Sequence, residues 1–337
     1  MMLRINEVNY SYASGLIRAK EPKLLGTGQF NRMLDAPSAE DAYKVLTEAG
    51  YGLGGGSTAS VFAYERLLSD EMIKCFRLLL EIAPDPEVIR AFQRRYDYFN
   101  VKVLLKAELS GQETPPILLE TGTIGPDAIS RYIRERDYSQ FTLLMKEAVA
   151  EVYDVFARMK DPQMVDLILD RASYRQFADD LRNIDSPFLQ GIAEYMVDMT
   201  NIKMFIRARS LKKSWDFIKK LLLDAGTIAE EVYFKNSSGT PEDFIEAIRS
   251  TRYGDAVQKG WELVRSGKNS SGLEKALDDL FMSYIRGAKL VTMGVEPLIA
   301  YLFAKEAEIR NVRMIMTGRI NNLPADMIRE RLREVYV

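Results

Sequence analysis

An all-α fold is what this sequence predicts, and three observations predict it. Amphipathic segments of helical period run through most of the 337 residues, sustained alternation at period two is hard to find, and one helical segment returns three times. Composition permits such a fold, because 47% hydrophobic residues supply cores for two or three domains. Charge sets a further bound. A formal net charge of −2 gives no general positive field for nucleic acid or anionic lipid, so electrostatic recognition has to be local.

The chain has no histidine and a single cysteine, Cys75. Histidine triads, histidine or multi-cysteine zinc sites and internal disulfides are thereby excluded. Cys75 lies in the apolar-rich "EMIKCFRLLLEIA" and reads as a small core residue rather than a nucleophile. The lack of disulfides suits the cytoplasm. Arg4, Glu7, Arg18, Lys20 and Glu21 break the first thirty residues, so no signal-peptide core is expected there. "LVTMGVEPLIAYLFA" (290–304) comes nearest to a spanning segment, but Glu296 and Pro297 sit inside it. The expectation is a protein that is soluble, or peripheral where it meets a membrane.

Taken in chain order, the first clear helix follows Ser38. Ala42, Tyr43, Val45, Leu46 and Ala49 share one helix face, Asp41 completes a start resembling a capping box, and Gly50 is the stop. Gly50, Gly52 and Gly55 in "AGYGLGGGST" also satisfy G-x-G-x-x-G. A dinucleotide site requires a strand before those glycines, whereas here a helix precedes them. The P-loop alternative fails because Gly56 stands where its lysine belongs, so residues 52–58 read as a connector. "PPILLETGTI" and "LLLDAGTI" are short strand-like fragments between turn residues. "DDLRN" (179–183) and "DDLFM" (278–282) approach the DDxxD arrays of magnesium-dependent helical enzymes. Both lack the closing Asp, which leaves the oxygen cage incomplete. In "GTPEDFIEAIRSTRYGD", Thr240 is a candidate N-cap, Pro241 takes the first helical position, and Phe244, Ile245 and Ile248 form the apolar stripe.

The three-fold return is seen in "YDYFNVKVLLKA" (96–107), "VDMTNIKMFIRA" (197–208) and "AEIRNVRMIMTG" (307–318). Each has an acid (Asp97, Asp198, Glu308), two residues, then Asn100, Asn201 or Asn311, an aliphatic residue, and Lys102, Lys203 or Arg313. The asparagines are 101 and 110 residues apart, the length of a small domain, and the chain divides into blocks 1–110, 111–215 and 216–337. Other segments keep the period: "SAEDAYKVLTEAGYG" aligns on "TPEDFIEAIRSTRYG", and "LLETGTI" echoes "LLLDAGTI". Three copies of a helical unit predict a solenoid or a ring of three similar domains. A repeated amide bonds backbone or a neighbouring side chain in a packing contact, or serves function directly. The cations are solvated, or form a basic ring for an acidic or helical partner. Segment 203–220 carries seven basic residues against Asp216 alone; it is a solvated face, or touches lipid headgroups or an acidic subunit.

Several separated blocks together carry a family resemblance. "NYSYASGLIRAKEPKLLGTGQFNRMLDAPSAEDAYKVLTEAGYG", "YDYFNVKVLLKAELSG", "TNIKMFIRARS" and "VEPLIAYLFAKEAEIRNVRMIMTGRINNLPADMIRERLREVYV" resemble the C subunit of the prokaryotic V-type (A-type) ATPase or ATP synthase, the counterpart of the eukaryotic d subunit. The likeness runs from about residue 9 to 337 and implies three similar helical domains in a pseudo-threefold, funnel-shaped arrangement. It further implies a peripheral protein on the cytoplasmic face of the membrane, with the central shaft subunits and the membrane rotor (proteolipid) ring as partners. Such a protein would transmit torque with no catalytic residue, no cofactor, no nucleotide and no nucleic acid of its own. The alternatives are a helical-repeat adaptor unrelated to rotary machines and a magnesium-dependent helical enzyme, against which the broken acidic arrays argue.

Overall fold

A computed structural model describes residues 2–52, 61–267 and 271–337. The glycine-rich connector read at 52–58 falls, beyond Gly52, outside the described residues. In chain order the helices are α1 (Ser11–Lys20), α2 (Thr27–Leu34), α3 (Ala39–Glu48), α4 (Tyr64–Ile82), α5 (Pro86–Ser110), α6 (Pro126–Glu135), α7 (Leu143–Met159) and α8 (Pro162–Arg182). There follow α9 (Pro187–Ser210), α10 (Trp215–Leu221), α11 (Glu230–Lys235), α12 (Pro241–Ala247), α13 (Gly254–Arg265), α14 (Gly272–Arg286), α15 (Glu296–Ile320) and α16 (Ala325–Arg329). Strand among the described residues is confined to β1 (Leu3–Arg4), paired in parallel with β2 (Ile184–Asp185). The fold is all-α, as the periodicity predicts.

Local chemistry sets the helix ends. Ser38 Oγ accepts the Asp41 N–H at 3.0 Å and opens α3, Thr142 does the same for Met145 at 3.2 Å, and Asp161 takes the Gln163 N–H at 2.9 Å. Pro86, Pro126, Pro162, Pro187 and Pro241 each occupy a first helical position, where the missing N–H costs nothing. At the far end of α3, Gly50 has φ 98°, the left-handed region in which glycine avoids the Cβ penalty. The helix before the glycines is therefore present, and the strand that a dinucleotide site requires is not.

The chain forms two compact units. One comprises Met1–Ile5 with Asp85–Thr240, the other Asn6–Pro84 with Pro241–Val337. In the first unit, Tyr98, Val101 and Leu105 of α5 pack with Ile129 and Ile133 of α6, Val149 and Val152 of α7, and Val165 and Leu169 of α8. In the second unit, α15 is the central element, touching α1 to α4, α14 and α16. Pro297 to Lys305 is buried without interruption, so this half of the helix is apolar all round because it is enclosed on every side. That accounts for the apolar run from Pro297 to Ala304, whereas Leu290, 90% exposed, and Met293, 41% exposed, precede the helix. No described helix is long and apolar enough to cross a membrane.

Candidate functional site

The three repeat segments lie on α5, α9 and α15, at the same place in each. All three asparagines are buried, and each carboxamide grips one residue of a passing loop by both its backbone groups. Asn100 Nδ2 donates to Leu119 O at 2.8 Å and Oδ1 accepts the Leu119 N–H at 2.8 Å. Asn201 holds Leu223 in the same way at 2.9 and 2.8 Å, and Asn311 holds Arg333 at 2.9 and 2.9 Å. An amide side chain has one donor face and one acceptor face, so it can stand in for the neighbouring strand these loops lack.

One helical turn earlier, the buried acid secures the rest of the loop. Asp97 accepts the Ile124 N–H at 3.0 Å and the Thr123 hydroxyl at 2.5 Å. Asp198 accepts Thr227 N–H at 2.9 Å, its hydroxyl at 2.5 Å, and Ile228 N–H at 3.3 Å. The glycine between clamp and threonine is a steric requirement. A Cβ on Gly122 would lie 2.1 Å from Asp97 Oδ1, and one on Gly226 2.3 Å from Asp198 Oδ1. Burial pushes the Asp97 carboxyl up to about 6, outweighing the Thr123 and Ile124 hydrogen bonds that pull it down. Thus "LLETGTI" and "LLLDAGTI" echo each other because both are gripped alike.

The third copy differs in its acid. Glu308 accepts the Leu25 N–H at 2.5 Å, the Lys305 ammonium at 2.6 Å and the Tyr51 hydroxyl. Lys305 also lies over the Tyr51 ring, 5.4 Å from its centroid. Burial and the Glu308 carboxylate raise the Tyr51 hydroxyl well above its ordinary range, and burial raises the Cys75 thiol. Cys75 is thus a protonated core side chain, without the thiolate character of a nucleophile.

The cations beside the asparagines have diverse settings. Lys102 Nζ lies 2.6 Å from Asp170, Arg313 Nε lies 2.9 Å from Glu65, and Lys203 is half-buried on α9. The acidic pairs are likewise engaged: Asp180 with Arg94 at 2.7 Å, and Asp278 with Arg310 and Arg333 at 2.8 Å each. Among the described residues, no group of three or more metal-ligating side chains comes together.

Fold and site together define a helical scaffold in which one polar device, used three times, ties loops to long helices. The chain belongs to the ATP synthase (C/AC39) subunit family, whose pattern matches residues 13–331. It is 25% identical over 331 residues to the C subunit of the V-type sodium ATPase of Enterococcus hirae, covering 98% of this chain and 99% of that one. It is 24% identical to the C subunit of the A-type ATP synthase of Methanocaldococcus jannaschii, over 96% of this chain and 86% of the relative. Against the corresponding protein of Haloferax volcanii the figures are 24% identity, 96% and 97%.

Sequence reasoning found the repeated asparagines and acids but missed their recipients. Gly122, Gly226, Thr123 and Thr227 carried a signal in the echo of the two loops; Tyr51 stood in the repeat opposite Tyr253 with nothing to mark Glu308 as its partner, and Lys305 carried no signal because it lies outside the repeated pattern.

Proposed function

We propose that this chain is a non-catalytic coupling component of a V-type or A-type rotary ATPase, joining the central shaft to the membrane rotor ring on the cytoplasmic face. The observation that carries the reading is the family match over residues 13–331, with relatives named as C subunits aligned along nearly their whole length. The clamps on α5, α9 and α15 support it physically. Torque transmission needs a body that does not yield, and loops fixed by paired, buried hydrogen bonds to long helices resist local opening. The three-block division, the pseudo-threefold funnel and the use of Lys102, Lys203 and Arg313 as partner contacts are parts of this proposal. Partner contacts should be spread over many side chains, with aromatic and arginine anchors dominating.

The test is affinity capture of the tagged protein from gently solubilised membranes of its source, followed by mass spectrometry. Recovery of shaft subunits together with the ring proteolipid is expected; recovery of unrelated soluble proteins alone would transfer the reading to a helical-repeat adaptor. Charge reversal at Lys102, Lys203 and Arg313 should then weaken shaft binding, and unchanged binding would remove these three as contacts.

A further inference from the structure

Segment 203–220, with its seven basic residues against Asp216 alone, holds a surface feature that the clamps do not use. The turn after α9 is firmly built. The Lys212 N–H donates to Arg209 O at 2.9 Å and the Lys213 N–H to Ala208 O at 3.0 Å, with Lys212 at φ 53°. The Arg209 guanidinium donates to Lys213 O at 3.0 Å and to Gly239 O at 2.8 Å. These bonds satisfy the carbonyls at the end of α9 and leave Leu211 projecting, 61% exposed, next to exposed Lys212 and Lys213.

Next in the chain, buried Ile218 anchors α10 and turns Phe217 outward, 42% exposed, with the Lys213 ammonium 5.3 Å from its ring centroid. Lys220 follows Phe217 by three residues and therefore shares its face. Phe234 of α11, 57% exposed, packs on Trp215, ring centroids 5.3 Å apart, and so lies on the side of α10 away from Phe217. Lys219 pairs with Glu230 at 2.9 Å, whereas Lys212 and Lys220 have no side-chain hydrogen bond or ion pair among the described residues.

Single exposed apolar side chains are ordinary, but a leucine and a phenylalanine set beside Lys212, Lys213 and Lys220 form a patch with two demands. The ammonium groups call for a dense array of anions, and the apolar side chains call for a medium that is not water. A nucleic-acid backbone meets only the first. An anionic bilayer meets both: lysine stems extend to the phosphates while Phe and Leu enter the boundary of headgroups and acyl chains. We infer that turn 211–213 and α10 form a docking surface for an anionic lipid bilayer. The inference deepens the coupling reading, and rests on it in that a bilayer must lie within reach.

The experiment is co-sedimentation of the full-length protein with phosphatidylcholine vesicles, with and without phosphatidylglycerol. Each lysine near an anionic surface strengthens attachment by about fivefold, so phosphatidylglycerol should raise partitioning by about tenfold or more, and high salt should abolish the gain. Lys212→Glu with Lys213→Glu should return binding to the phosphatidylcholine level. Phe217→Ser should lower it severalfold while keeping the salt dependence. Lys160→Glu, on another exposed surface, should leave it unchanged, and thermal melting confirms that each variant is folded. Equal binding to both vesicle types, or no effect of the double lysine reversal, would overturn the inference. So would binding of poly-glutamate through these lysines without vesicle binding, which would assign the patch to an acidic protein. Recovery of shaft and ring proteins by a chain that ignores vesicles would count against this patch alone; vesicle binding without their recovery would count against the coupling reading alone.

Discussion

A buried asparagine that satisfies both backbone groups of one residue is hard to replace. In Asn201→Ala the Leu223 N–H and C=O both lose their partner, and an orphaned buried backbone group costs about 1–3 kcal/mol. The expected loss is therefore roughly 2–5 kcal/mol in urea unfolding, and a cost below about 0.5 kcal/mol would show that water or relaxation replaces the clamp. Asn201→Asp should be no milder, because it sets a carboxylate oxygen against the Leu223 carbonyl. At the neighbouring acid the test is pH. With its carboxyl near 6 in the folded chain and near its ordinary 3.8 once unfolded, Asp97 binds its proton more tightly in the native state. Its contribution is full below the unfolded value and is lost as pH rises through the folded one. Asp97→Asn should therefore gain stability relative to the parent between about pH 4 and pH 6 and level off above. A flat difference across that window would mean that the hydrogen bonds from Thr123 and Ile124 hold the carboxylate charged.

Among the elements, α15 stands apart because its neighbours enclose its Pro297–Lys305 half on every side. Amides from Leu298 to Met316 should exchange with deuterium only through global opening of their unit, whereas those of five-residue α16 should exchange early. Fast exchange along the middle of α15 would contradict its role as the central element. This helix also shows where sequence reading ends. Periodicity revealed α3 and α12 because each buries one stripe, and the stripe is the signal. A helical stretch buried all round has no stripe, so the apolar run from Pro297 to Ala304 made 290–304 resemble an interrupted spanning segment. The clamps were half legible for a related reason. Acid and asparagine recur within one helix, where spacing fixes their face, but their recipients lie 19 to 22 residues beyond the asparagine, where no local rule operates. In the third copy Tyr51 meets Glu308 across 257 residues, a contact that only the assembled unit creates.

For the molecule as a whole, connectivity governs how the two units come into being. One unit takes nearly all its residues from the continuous stretch 85–240, with β1 added by a two-residue bridge. The other joins 6–84 to 241–337, and its central helix α15 lies in the second segment while α1 to α4, which cover it, lie in the first. Burying one large aliphatic or aromatic side chain gains about 1.5–3 kcal/mol, and α15 presents Leu298, Ile299, Leu302, Phe303, Val312 and Ile315, each at most 5% exposed. A chain of residues 241–337 alone keeps α14 and α16 as partners of α15 but loses four helices, exposing more apolar surface than a domain's whole stability can bear. Segment 85–240 should therefore unfold cooperatively by itself with most of its helix intact. Segments 6–84 and 241–337 should each lack a cooperative transition, and mixing the two should restore one. Circular dichroism melts of the three fragments and of the mixture make the check. A sharp melt from 241–337 alone would mean that α15 needs no cover from the first segment, and that the three-block division of the repeat, rather than the contact units, describes how this chain folds.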